Sequence, residues 1–181
     1  MCINAAYNAS TRGKHIKNSM LISFISIASG AIITLTVLIA SKAIKYEAYQ
    51  MIPVGGMIIS NAMIAIGLCY RQLNSDFKIR RQEVETKLAL GADIHSASIE
   101  IVRDCIKTGM IPTIDSMKTL GIVTLPGMMT GLILAGASPL MAIRFQIMVT
   151  FMMLSTTSIA AFTACFLSYR SFFNSRKQLT N

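Results

Sequence analysis

Residues 51–70 read MIPVGGMIISNAMIAIGLCY, twenty positions without one Lys, Arg, Asp or Glu. A bilayer core of about 30 Å is crossed by about 20 helical residues, each rising about 1.5 Å. No water reaches that core, so each backbone amide must find its partner within the segment, and a helix provides one. The run is therefore expected to span a membrane. It is not alone. Working outward, residues 19–40 form an uncharged run of 22, residues 119–143 one of 25, and residues 145–169 another of 25. The reading is all-α: a polytopic transmembrane helix bundle in one domain over residues 1–181, with four spans at those positions.

Composition agrees. Charged residues make up 14% of the 181, apolar residues 53%, and mean hydropathy is +0.57. A soluble domain carries about a quarter charged residues. Arg12, Lys14 and Lys17 precede the first run and lend it the look of a signal peptide. Such peptides have apolar regions of only about 7–15 residues, so this longer run is expected to be a span.

The net charge of +9 raises the question of nucleic acid, and its placement answers it. Three basic residues lie in 1–18, eight in 71–118 and three in 170–181, leaving only Lys42, Lys45 and Arg144 elsewhere. Basic residues gather on the cytoplasmic side of a membrane. Both termini and a loop at 71–118 are thus expected in the cytoplasm of a bacterial cell, beneath its inner membrane, with short connections at 41–50 and 136–142 outside. No nucleic-acid partner is expected; the lipid bilayer is.

The loop 71–118 carries seven acidic residues against its eight basic ones, a surface suited to protein contact. Glu83 to Leu90 predicts a helix and Gly91 its break. A second helix is expected from about Ser96, with Ile99, Val102 and Ile106 on one face. A helix, a break and a helix in a cytoplasmic loop are what an ABC permease offers its ATPase. Glu83 and Glu85 are expected to meet that partner's basic rim, and Leu88, Leu90 and Ala92, beside Gly91, its apolar groove.

Small residues recur within the runs, among them Gly30, Gly55, Gly56, Asn61, Gly67, Gly127 and Gly131, and small residues let helices approach closely. Pro53, Pro112 and Pro126 each remove a backbone donor and are expected to interrupt helices. Pro126-Gly127 is the sharpest break; broken helices in transporters mark binding sites or hinges as well as plain kinks. Asp115 and Lys118, three residues apart, pair on one helix face. With Asn61, Pro126, Gly127, Met128 and Met129 they form the candidate translocation path or hinge. The thirteen Met residues suit either soft-metal chemistry or the filling of apolar space. Cys2, Cys69, Cys105 and Cys165 show no metal-ligand spacing, His15 and His95 stand alone, and no metal ligand is assigned.

The pieces NAAYNA at 4–9, MIPVGGMIISNAMIAIGLCY at 51–70, EVETKLALGA at 83–92 and the long run IPTIDSMKTLGIVTLPGMMTGLILAGASPLMAIRFQIMVTFMMLSTTSIAA at 111–161 carry a resemblance. Through them residues 2–177 resemble the FetB-like family of metal-export ABC permeases, which includes plant relatives tied to aluminium tolerance. The resemblance implies a permease subunit exporting iron or another metal ion, working as a homodimer with a separate ABC ATPase subunit. Glu85 and Gly91 keep the E-x5-G spacing by which ABC importers engage their ATPase, and Ile101 falls on its Ile, but the Leu-Pro that follows there is missing.

Members of that family carry additional spans before the position of Asn4, so the chain is expected to lack the family's amino-terminal spans. That favours an alternative, a truncated or inactive membrane scaffold that binds a partner ATPase without transport. No GxxxxGK[ST] sequence occurs, so no cofactor is expected in this chain and ATP belongs to the partner. No catalytic set is legible, and an enzyme is not expected.

Overall fold

A computed structural model describes residues 1–13, 16, 18–40, 48–121, 127–174 and 179, without side chains for 48–51. Among these residues the chain is helical, with one isolated bridge between Phe173 and Leu179. The helices are α1 (Cys2–Thr11), α2 (Ser19–Ala40), α3 (Ala48–Ile79), α4 (Arg81–Ala89), α5 (Ile94–Thr119), α6 (Gly127–Leu134) and α7 (Pro139–Ser168), followed by a 3-10 turn at Tyr169–Phe172. Among the described residues three helical segments are long and apolar enough to cross a membrane: Ser19–Ala40, Ile52–Ile79 and Pro139–Phe172. The protein is an all-α membrane helix bundle.

α7 is its axis, packing against α2, α3 and α5. The faces that meet are lined by small residues. α2 buries Ser23, Ser26, Ile27, Gly30, Ala31, Thr34 and Leu38, a three-and-four spacing that is one helical stripe. Opposite, α7 buries Val149, Thr156, Ala160, Ala164 and Ser168. A Cβ on Gly30 would lie 3.1 Å from the Thr156 carbonyl oxygen, so the two backbones are nearly touching. Lipid tails are as apolar as Leu, and helices in lipid are held by close packing and hydrogen bonds rather than by exclusion of water.

α3 meets α5 in the same way. A Cβ on Gly109 would fall within contact distance of the Cys69 sulfur and 3.1 Å from the Ala65 carbonyl oxygen. Beside this contact lies the larger core cluster, which includes Ile66, Tyr70, Leu73, Val84, Ile101 and Tyr169. α1 closes it from the side with Ala5, Ala6 and Ala9.

Several expectations are corrected. The apolar run 119–143 is not one helix. α5 stops at Thr119, Leu120 is extended, and Gly121 has φ +81. Within the described residues α6 covers eight positions, about 12 Å. Gly136 at φ +89 ends it, and Ser138, whose side chain accepts from the Met141 amide, starts α7 at Pro139. Hydropathy counts apolar residues and is blind to a glycine turn followed by a helix cap. The outward connection expected at 136–142 shrinks accordingly, and Arg144 sits on α7. Pro53 and Pro112 lie inside unbroken helices, α3 and α5; Pro126 lies outside the described residues. On α5 the buried face is Ala97, Ser98, Ile101, Val102 and Cys105, while Ile99 points outward.

The α3–α5 contact gives a direct test. Gly109→Ala drives a methyl into the Ala65 backbone, which cannot swing away, and is expected to destabilise the bundle by about 1–3 kcal/mol. Gly131→Ala meets nothing within 4 Å and is expected to be neutral. Thermal melts of both variants in mild detergent, followed by circular dichroism, check the contrast.

Candidate functional site

Two regions collect the functional candidates: the hairpin of α4 and α5, and a polar seam between α2, α3 and α7.

In the hairpin, α4 is hydrophilic and buries only Val84, so its position depends on its neighbours. Ion pairs provide much of the hold. Lys87 Nζ lies 2.8 Å from Glu83 Oε1 on its own helix and 2.9 Å from Glu100 Oε2 on α5. Arg80 reaches Asp104 of α5 at 3.3 Å, and Arg81 binds Glu85 at 2.8 Å. Glu83 and Glu85, expected to face a partner, are thus both engaged within the chain. Between the helices the Gly91 amide donates to the Leu88 carbonyl, the Ala92 amide donates to that of Lys87, and Gly91 takes φ +88. That backbone conformation favours glycine, which has no Cβ to clash.

The break turns its apolar residues in different directions. Leu88 folds back on the core cluster and Ala92 is half-buried, whereas Leu90 is 83% exposed at the tip. Of the residues expected to enter a partner groove, Leu90 alone stands clear. This knob projects from the end of the molecule where the charges gather.

The seam runs through the bundle. Asn61 on α3 donates to the Met57 carbonyl at 2.9 Å and to the Met153 sulfur on α7 at 3.1 Å. Thr156 of α7 donates to Thr34 Oγ1 of α2 at 2.8 Å, and Thr150 donates to the Gln146 carbonyl at 2.8 Å. Gln146 Oε1 and Ser26 Oγ are buried with no hydrogen-bond partner among the described residues. Met128 of α6 packs with Leu35, Phe145 and Met148 on the second cluster, around Val54, Ile58 and Met152, and Met129 is half-buried. Gly127 is exposed, and a Cβ there meets nothing.

Asp115 and Lys118 do pair, at 3.3 Å, but they are 59% and 70% exposed on the outer part of α5. Among the described residues no hydrogen bond or ion pair joins them to the seam.

The sequence reading missed two features. Thr34 and Thr156 escaped notice, although Ser23, Ser26, Gly30 and Thr34 share a spacing that announces a small, polar helix face. The cysteines carried no such signal. Cys69 and Cys105 come from α3 and α5 and meet in the core: the Cys69 thiol donates to the Cys105 carbonyl at 3.5 Å, and the Cys105 thiol faces Asp76 Oδ2 at 3.8 Å. Burial first, and the Asp76 carboxylate next, push the Cys105 thiol far above its ordinary range. It stays protonated, the form that neither attacks nor ligates. Among the described residues no group of three or more His, Cys, Asp and Glu side chains is placed to hold a metal ion.

The hairpin's electrostatics predict its response to pH. Lys87 lowers the Glu83 carboxyl below 4.5, and Glu83 with Glu100 raises Lys87 above 10.5. The acid share of the stabilisation is present above the unfolded Glu value and disappears as pH falls through the lowered one. The Lys share is present below 10.5 and is lost as pH rises through the raised value. Lys87→Met is therefore expected to quicken hydrogen exchange of the 88–92 amides at neutral pH, with the difference from the native protein closing in acid below Glu83's own titration.

Comparison with known proteins adds the family context. The model of the uncharacterised protein family UPF0014 matches residues 1–173. The chain is 52% identical over 179 residues to the "Probable iron export permease protein FetB" of Escherichia coli K12, covering 99% of this chain and 69% of that protein. It is 38% identical over 175 residues to "Protein ALUMINUM SENSITIVE 3" of Arabidopsis thaliana, covering 97% of this chain and 64% of that protein. To the "UPF0014 membrane protein YjkA" of Bacillus subtilis it is 37% identical over 175 residues, covering 97% and 70%. The chain thus spans about two thirds of the length of these relatives. No solved structure matches it.

Proposed function

The chain belongs to the UPF0014 family, and from that premise we propose that it is the membrane-spanning permease subunit of an ABC transporter, exporting iron or another metal ion. A separate ATPase subunit supplies the energy. The working unit joins two permease chains to two ATPase chains in the inner membrane, with the carboxyl terminus in the cytoplasm.

One observation carries this reading: the helix break at Gly91 that presents Leu90 at the charged end of the bundle. A motor protein needs a rigid handle with an apolar tip. Val84 and Leu88 seat α4 on the core, Lys87–Glu100 and Arg80–Asp104 tie it to α5, and Leu90 supplies the tip. α5 packs in turn on α3 and α7, the two helices bridged by Asn61 and Met153. A push at Leu90 therefore reaches the walls of the polar seam, which we assign as the path. Hydroxyl, amide and thioether groups there can exchange places with a cation's hydration waters without holding it permanently. The 52% identity to a protein named as an iron export permease favours iron as cargo.

Cells lacking their iron exporter, loaded with iron and supplied with this permease and its ATPase, are expected to lower their iron content. Gly91→Pro and Glu85→Lys are expected to reach the membrane in normal amount yet give no lowering. Proline cannot adopt φ +88, and a lysine at position 85 would face Arg81 with like charge. Unchanged cellular iron with the native chain would overturn the cargo. Normal efflux and normal co-purification with the ATPase in both variants would overturn the coupling assignment.

A further inference from the structure

α5 repeats one charge pattern along its length. Asp104 and Lys107 are three residues apart, and Asp115 and Lys118 restore that spacing eleven positions later. Each pair closes on itself, at 3.5 Å and 3.3 Å. Eleven residues make about three helical turns, so both pairs and Ile111 between them share one stripe. All five reach the surface. From Asp104 to Lys118 the stripe covers about 21 Å of helix.

Contacts with two spans fix how deep the stripe goes. The Cys69 thiol of α3 meets the Cys105 carbonyl, and the Ala65 carbonyl stands against Gly109. Four positions forward on α5 are thus four back on α3, and the two helices run antiparallel. Ile111 then lies level with Met63, and Asp115 with Ile59, close to Asn61 at the centre of the uncharged run 51–70. Ser158 of α7 donates to the Met110 sulfur at 3.9 Å, which gives a second register. It sets Ile111 beside Thr157, midway along the uncharged run 145–169. By either count Ile111 is about 10 Å or more inside the ends of both runs.

A charged side chain at that depth is costly against acyl chains, and spans keep such groups turned inward or wet. A lysine can escape by stretching its stem toward the headgroups. Lys118 does the opposite, and its ammonium reaches back to Asp115. α2 and α7 treat the same level in the ordinary way for lipid. They expose Ile32, Ile33 and Val37 on the one and Ile147 and Phe151 on the other. Thr34 of α2 bonds Thr156 of α7, so Ile33 stands at the depth of Ile111. One side of the bundle is apolar there and another is charged.

We propose that the outer stripe of α5 borders a water-filled cleft, which opens at the charged end of the molecule and reaches the middle of the bilayer. Water there solvates the Asp115–Lys118 pair, as lipid could not. The cleft admits small hydrophilic ions, and it is a surface distinct from the seam that holds Asn61 and Thr156. The inference requires only that the chain spans a membrane, and it is independent of cargo and motor.

Ile111→Cys and Ile33→Cys place the same thiol at the same depth, at positions where the native isoleucines are 50% and 48% exposed. Each variant of the full chain is reconstituted in lipid vesicles and treated on both faces with a charged methanethiosulfonate. Modification is followed by mass spectrometry against the native chain. The thiol at position 111 is expected to react more than about tenfold faster than the one at 33, the least that exclusion of a charged reagent from lipid allows. Lys118→Cys, further along the stripe, is expected to react as fast and serves as the readout should Ile111→Cys fail to insert. Equally slow reaction at 111 and 33, with a lipid-soluble maleimide fast at both, would put the stripe in lipid and overturn the proposal. So would a thiol at 111 that neither reagent reaches, since protein would then cover it. Iron efflux is measured separately, so failure of either proposal leaves the other standing.

Discussion

The rest of the molecule depends on the near-contact of backbones where α7 crosses α2 and α3 meets α5. At Gly30 the Thr156 carbonyl stands 3.1 Å from where a Cβ would be, and at Gly109 the Ala65 carbonyl stands equally close. Bulkier residues at these points would separate the helices, and in lipid no exclusion of water would press them back together. Close approach also makes the polar seam possible. Thr34 and Thr156 exchange a 2.8 Å hydrogen bond only because the helices carrying them almost touch. Serine and threonine are small enough to sit at such a crossing, and their hydroxyls can also bond back to their own helix. Ser23 and Thr34 both do so, to Ser19 and Gly30.

The charged end is built on a different principle. α4 has little apolar surface, and it is held to α5 by Lys87 with Glu100 and by Arg80 with Asp104. Exposed ion pairs are individually weak and are screened by salt. Such a joint holds its geometry without being welded to the core, which suits the proposed role as a handle. The buried half of α5, from Ala97 to Gly109, anchors that joint to the spans. The same geometry explains why Leu88 turns inward and Leu90 outward. Two positions apart on one helical turn they cannot share a face, and the Gly91 break leaves Leu90 at the tip.

Reading of the site was uneven for a physical reason. The hairpin was legible because its signals are local: a helix pattern, a glycine able to adopt positive φ, and alternating charge over a short stretch. Asn61 was legible as an isolated amide in an apolar run, though its partner Met153, 92 positions away, was not. The meeting of Cys69 with Cys105 depends on helix rotation and depth, which no short-range pattern encodes. Asp115 and Lys118 show the reverse. The spacing that paired them is local and correct, and their exposure is a property of the bundle.

Length and the absence of charge decided, from sequence alone, that the chain forms membrane helices, because the cost of burying an ion or an unpaired amide in lipid is incurred residue by residue. The grouping of basic residues likewise marked one end of the bundle before any contact was known. Tertiary structure decided where the run 119–143 breaks, which glycines meet a neighbour and which face open space, and which polar side chains share the seam. Those outcomes turn on distances between residues far apart in the chain, and a sum over neighbouring positions contains no such distances.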